Sequence, residues 1–164
     1  MPLKSRFYAH LVRGACASLL LLTAVAAHAQ SGPFAMLGGA WAGSGTIRLT
    51  EGGSERIRCK ATYDLVSASS LTLNLTCASD SYKFVLLGSM QAAQSGAISG
   101  NWTEQTRSVA GTVRGHVAGN HLSVATSGAL NATLSLTATG NTQQIVLRSQ
   151  GTSIQQMSIS MKRT

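Results

Sequence analysis

The sequence predicts an all-β protein. The expected form is an antiparallel up-and-down meander of about 8–10 strands, closed or nearly closed into a barrel, with a sandwich as the second choice. Three observations carry this. Apolar and polar residues alternate at period two, and no i, i+3, i+4, i+7 pattern lasts three turns after residue 30. Turn signals recur at intervals of about 8–12 residues. With 17 glycines in 164 residues, only 11% charged residues and many Ser, Thr and branched aliphatics, the composition suits strands and turns better than helices. Short connections in sequence favour a meander, and closing it removes exposed strand edges.

Residues 1–29 read as a secretory signal peptide. Lys4, Arg6 and Arg13 form its basic region, 15–27 its apolar stretch, and Ala27-His28-Ala29 an A-x-A cleavage site. The apolar run is shorter than the ~20 residues of a spanning helix. Cleavage after Ala29 implies a periplasmic or secreted mature chain of 135 residues. It removes three of 13 cations and none of five acids, so the formal charge falls from +8 to +5. It also removes Cys16, leaving Cys59 and Cys77. An even count in an oxidising compartment predicts one disulfide. Residues 30–38 read as a flexible N-terminal segment and 39–164 as a single β-barrel domain.

The first strand, 41–50, carries Trp41, Gly43, Gly45, Ile47 and Leu49 on one parity. The clearest alternation follows over 55–80. Ile57, Cys59, Ala61, Tyr63 and Leu65 share one face, and after a short Ser-rich turn so do Leu71, Leu73, Leu75 and Cys77. A hairpin centred on Ala68 places Leu65 opposite Leu71, Tyr63 opposite Leu73, Ala61 opposite Leu75 and Cys59 opposite Cys77. A non-hydrogen-bonded antiparallel pair has Cα atoms about 4.5 Å apart, within disulfide reach. The same register sets Arg56 against Asp80 on the polar face. Residues 82–87 are apolar on both parities. Ile98 and Trp102 mark the next strand. Val109, Gly111, Val113, Gly115 and Val117 mark another, with Arg114 and His116 outward. Leu122 and Val124, then Leu130 to Ala138, then Ile145 and Leu147, and finally 154–161 complete the set. Gly52-Gly53, Ser95-Gly96, Gly119-Asn120, Gly140-Asn141 and Gln150-Gly151 are the turns. Many inward positions are Gly or Ala, which either lets a narrow barrel close or leaves a cavity.

Leu37-Gly38-Gly39-Ala40-Trp41 resembles the G-x-W opening of lipocalin-like (calycin) barrels. The short, basic, meandering chain also resembles the avidin group. The secreted bacterial metalloprotease inhibitors share a similar opening, a small barrel and one early disulfide. The resemblance covers the opening motif and the strand pattern, and it implies that Trp41 closes one barrel end against a cation. Arg148 and Arg107 are the candidates for that cation. A second G-x-W, Gly100-Asn101-Trp102, lies 61 residues on and would mark an equivalent position in a second half.

The chemistry-bearing residues are sparse. The mature acids are Glu51, Glu55, Asp64, Asp80 and Glu104, with no sign of a convergent carboxylate pair. No G-x-S-x-G elbow occurs. His116 and His121 approach each other across a turn without a third ligand, so no metal site and no cofactor are expected. Arg56, Arg58 and Lys60 form a basic stripe without interleaved aromatics, which argues against nucleic acid. Polar outward faces and few aromatics argue against an outer-membrane barrel. Trp102 and Glu104 share a parity, and an inward acid must be paired; Arg107, beyond a tight turn, is the expected partner. The segment 101–107 then locks a strand corner or lines a cavity mouth.

These readings favour a non-enzymatic barrel that binds a small apolar ligand. The candidate ligand residues are Trp41, Tyr63, Trp102, Glu104 and Arg107. The alternative is a protein-binding module, such as a protease inhibitor or envelope assembly factor, that reaches its partner with residues 31–38.

Overall fold

The computed structural model describes residues 32–164, so the expected signal peptide lies outside the described residues. Ten strands follow one another: β1 (Gly39–Leu49), β2 (Ser54–Ser67), β3 (Ser70–Ala78), β4 (Lys83–Ala92), β5 (Ala97–Glu104), β6 (Val109–Ala118), β7 (His121–Gly128), β8 (Asn131–Thr139), β9 (Thr142–Gln150) and β10 (Ile154–Arg163). Each pairs antiparallel with its neighbours in sequence, and β10 pairs with β1. The result is a closed up-and-down barrel with no unpaired strand edge. Period-two patterning produces it directly. In β2, Ile57, Cys59, Ala61 and Tyr63 are buried while Arg56, Arg58, Lys60 and Thr62 are exposed.

The β2–β3 register is the one the apolar phase requires: Leu65↔Leu71, Tyr63↔Leu73, Ala61↔Leu75 and Cys59↔Cys77. The cysteines form a disulfide with Cα atoms 4.1 Å apart. The ladder slips between Leu65 and Ser67, and Val66 is left exposed there. It ends at Arg58↔Ala78, so the expected Arg56–Asp80 pair does not form. Beyond that point the chain turns, and the Glu55 carboxylate takes the Ser79 hydroxyl (2.7 Å) and the Ser81 N–H (3.1 Å). Of the ambiguous 82–87 stretch, all but Tyr82 belongs to β4, which runs on to Ala92 and is half-buried along most of its length.

Some interior glycines serve closure. A Cβ on Gly43 would collide with the Ser160 backbone oxygen. One on Gly111 would collide with the Ser127 backbone oxygen and lie 2.8 Å from the Trp102 ring. Neighbouring backbones occupy the space that a side chain would need. Gly88 differs, because its Cβ would sit 3.7 Å from the nearest atoms, an ordinary contact that leaves room inside.

Residues 32–38 correct the expectation of a flexible segment over 30–38. They fold into turns, with the Ala35 N–H on the Gly32 carbonyl (3.0 Å) and the Leu37 N–H on the Phe34 carbonyl (2.9 Å). Phe34 and Leu37 are 0% and 1% exposed. The reason is hydrophobic: two large side chains three residues apart fill the lower barrel end, the end where β1 begins, and leave water together. Trp41 completes this plug. Its indole N–H donates to the Leu37 carbonyl (2.7 Å), and the Arg163 guanidinium lies 4.3 Å from its ring centroid. Arg163 also donates to the carbonyls of Gly38 and Met36. The cation on Trp41 is therefore Arg163. Arg148 is exposed on β9, and Arg107 is at the upper end.

Candidate functional site

The plug closes the lower end, and above it the inward side chains leave a cavity of about 140 Å³. Leu73 and Leu75 of β3, Leu86 of β4, Leu122 of β7, Leu134 of β8 and Leu147 of β9 are part of its wall. Leucine at these positions follows from strand parity. In β3, for example, the same alternation that buries Leu71 and Cys77 turns Leu73 and Leu75 inward. Tyr63 and Trp102 add aromatic surface, and Thr126 a hydroxyl. The Thr126 hydroxyl is already committed, donating to the Leu130 carbonyl at 2.9 Å and accepting the Ala132 N–H at 3.1 Å. No charged side chain lines the space.

The five sequence-derived ligand candidates separate. Tyr63 and Trp102 line the cavity. The Trp102 indole N–H donates to the Thr112 carbonyl (3.2 Å), which fixes the ring against Gly111. Trp41 belongs to the plug. Glu104 and Arg107 stand at the upper corner between β5 and β6 and do not line the cavity. Glu104 is 6% exposed. Its carboxylate accepts the N–H groups of Val85 (3.0 Å), Thr106 (3.0 Å) and Arg107 (2.9 Å), and the Thr106 hydroxyl. The Arg107 guanidinium adds an ion pair at 3.5 Å and covers the Phe84 ring, 5.1 Å from its centroid. Burial pushes the Glu104 carboxyl up, but the Thr106 hydroxyl and the three N–H donors outweigh it and hold the pKa near 2. The corner is thus tied to the neighbouring β4 by an ionised carboxylate with every oxygen in use.

Two residues at the lower end of the barrel escaped the sequence reading. Gln143 of β9 is fully buried and accepts the Tyr63 hydroxyl on Oε1 at 3.5 Å. It shares a parity with Ile145 and Leu147, so its inward direction was available from the alternation. Burial pushes the Tyr63 phenol pKa up, so the hydroxyl keeps its proton at any ordinary pH. Arg163 was the other. It follows the inward phase of Ile159 and Met161, but a cation at the end of a strand reads as solvent-exposed.

The histidines are not directly opposite each other across the turn. His116 pairs with Ser123 and Ala97, while His121 pairs with Ala118 and contacts the Thr137 hydroxyl at 3.1 Å. Among the described residues no three His, Cys, Asp or Glu side chains come together as a metal set. The two G-x-W tripeptides are not equivalent either. Trp41 is the third residue of β1, at the plug, whereas Trp102 is the sixth of β5, in the cavity wall.

Outside the barrel, a wider depression of about 540 Å³ crosses β3 to β6. Its floor is Ser70, Thr72, Ser89, Ser99 and Thr112, with Arg114 at one side. These are short polar side chains facing water on an open surface, and nothing encloses a ligand there. The interior cavity is the candidate site.

No protein-family model matches the chain. No curated protein matches it. The fold is that of a solved structure. The crystal structure of Rv2717c from M. tuberculosis superposes with a TM-score of 0.62 and covers 79% of this chain and 93% of its own. Identity is 14%, so the likeness concerns architecture alone.

Proposed function

We propose that the protein is a non-enzymatic barrel of the periplasm or the secreted fraction that holds a small apolar ligand in its interior. The carrying observation is the leucine-walled cavity of about 140 Å³, free of charged groups and shut at one end by the Phe34–Leu37–Trp41 plug. An apolar cavity of roughly 150 Å³ stays dry and takes up a benzene-sized guest. Burying such a guest removes apolar area from water at about 25 cal/mol per Å². The one buried acid, Glu104, has its oxygens occupied by Thr106, Val85 and Arg107, which leaves it no part in acid–base chemistry. The outward faces of β2 and β3 carry Arg56, Arg58, Lys60, Thr72, Asn74 and Thr76, all exposed, which fits water rather than lipid around the barrel. The Cys59–Cys77 disulfide fits an oxidising compartment.

The protein-binding alternative needs residues 31–38 free to enter a partner. Phe34 and Leu37 are buried in the barrel end instead, which favours the ligand reading. Native mass spectrometry of protein purified from its own host tests it. The expected result is a reproducible mass excess of a small organic molecule that denaturation releases. Ligand-free protein in every preparation, with no uptake of added toluene, would contradict it.

A further inference from the structure

The cations of the barrel gather on one outer face. Arg56, Arg58 and Lys60 run along β2. Lys162 of β10 stands level with Lys60, because both flank Ala42. Arg48 of β1 and Arg148 of β9 share the level above Arg56, on either side of Gln156. All six are exposed, and among the described residues none of them has an ion-pair partner. Glu51 and Asp80 lie in upper turns and Asp64 lies below Lys60, all outside this frame, while the Glu55 carboxylate is turned to Ser79 and Ser81. By contrast, the outward positions of β5 to β8 carry one cation, Arg114. Inside the frame, β1 and β10 present a floor of hydroxyls: Ser44 beside Ser160 and Thr46 beside Ser158. At about 3.4 Å per residue and about 4.8 Å per strand, the frame measures roughly 20 Å by 14 Å.

We propose that this face binds an acidic polysaccharide, a sugar chain carrying carboxylate or sulfate groups. The proposal is independent of the interior cavity, whose lining includes none of these residues. Unpaired guanidinium forks take such anions in bidentate fashion, and the hydroxyl floor meets sugar hydroxyls. Curvature disfavours a lipid surface. Ten strands close the ring, so neighbours turn by about 36° and β2 and β9 face about 110° apart. A flat bilayer cannot meet both sides of the frame, whereas a flexible chain can wrap across it. The floor also offers no aromatic or long apolar side chain to insert into lipid. Single-stranded nucleic acid would need aromatic platforms for its bases, and Trp41 and Tyr63, the aromatics of β1 and β2, are buried inside. The Cys59–Cys77 disulfide on the same β2 fits a compartment away from the cytosolic nucleic acid.

The probes are octagalacturonate, which carries carboxylates, and a heparin octasaccharide, which carries sulfates, with neutral maltooctaose as control. Each is titrated into the protein at fixed salt and followed through the backbone amide spectrum. At least one acidic chain should give saturable shifts on the outer faces of β1, β2, β9 and β10, and maltooctaose none. Arg56→Gln/Arg58→Gln should weaken that binding about tenfold. Lys83→Gln/Arg114→Gln removes the same charge elsewhere and should weaken it less than about twofold. All four positions are exposed, and the wild-type shift map stands by itself if a variant fails to fold. Equal losses in the two variants would reduce the effect to net charge and overturn the proposal, as would the absence of saturable binding by both acidic chains. Tighter binding of an octathymidylate or of phosphatidylglycerol vesicles at the same salt would overturn it in favour of nucleic acid or of a lipid surface.

Discussion

Glu104→Gln should weaken the fold at neutral pH and leave it almost unchanged at pH 2. The carboxylate accepts three backbone N–H groups at 2.9 to 3.0 Å, the Thr106 hydroxyl and the Arg107 guanidinium at 3.5 Å. Those donors hold its pKa near 2 against an ordinary 4.5. The shift spans about 2.5 units, and at about 1.4 kcal/mol per unit it corresponds to roughly 3 kcal/mol of stability. Because the folded-state pKa is the lower one, the contribution is complete above pH 4.5 and fades as the pH falls through 2. The amide variant keeps the shape but presents N–H groups to N–H donors, so it loses this contribution at every pH. Urea unfolding of both proteins at pH 7, 4.5, 3 and 2 reads the difference. It should be roughly 3 kcal/mol at pH 7 and 4.5, shrink at pH 3, and be smallest at pH 2. The Glu55 carboxyl is also lowered, by its hydrogen bonds to Ser81 and Ser79, but it is common to both proteins and cancels. A difference that stays constant from pH 7 to pH 2 would refute an ionic corner and leave only a shape effect.

Other substitutions separate closure from cavity. Gly111→Ala should destabilise by about 1–3 kcal/mol through overpacking against Trp102 and the β7 backbone, read by thermal unfolding. Gly88→Ala should be neutral or stabilising by about 0.4–1 kcal/mol, because its Cβ meets only ordinary contacts. Replacing Cys59 and Cys77 by Ala together should cost about 3 kcal/mol in urea unfolding, as expected for releasing a loop of 18 residues. Arg163→Met should cost about 2 kcal/mol and expose Trp41, seen as a red-shifted and more quenchable indole emission; unchanged emission would separate Arg163 from the plug.

The strand framework was legible because strands such as β2 and β6 have one wet and one dry face, whereas β4 does not. In β2 and β3 the alternation, the cysteine spacing and the turn constrain the same register, and the ladder follows it residue by residue. The Arg56–Asp80 pair failed because the alternation cannot say where a ladder stops; here it stops at Ala78, where the chain turns and Glu55 binds Ser79. The plug was hidden because Phe34 and Leu37 lie outside any periodic run, and only the tertiary fold shows that an open barrel end needs filling. Arg163 was hidden for a related reason. It reaches the carbonyls of Gly38 and Met36 over more than 120 residues of sequence, a contact that barrel closure creates. Whether small interior residues close the barrel or leave space had no answer in the sequence. Both occur, with Gly43 and Gly111 pressed on neighbouring backbone and Gly88 facing free volume.

The most direct test of the ligand-binding account is a toluene titration of methyl-labelled protein, followed through the leucine methyl spectrum beside the variant Gly88→Leu. The account predicts saturable shifts confined to the wall leucines, among them Leu73, Leu75, Leu86, Leu134 and Leu147, and their loss in the folded variant whose new side chain fills the space. Shifts that never saturate, that fall on the outer face, or that persist unchanged in folded Gly88→Leu would contradict it.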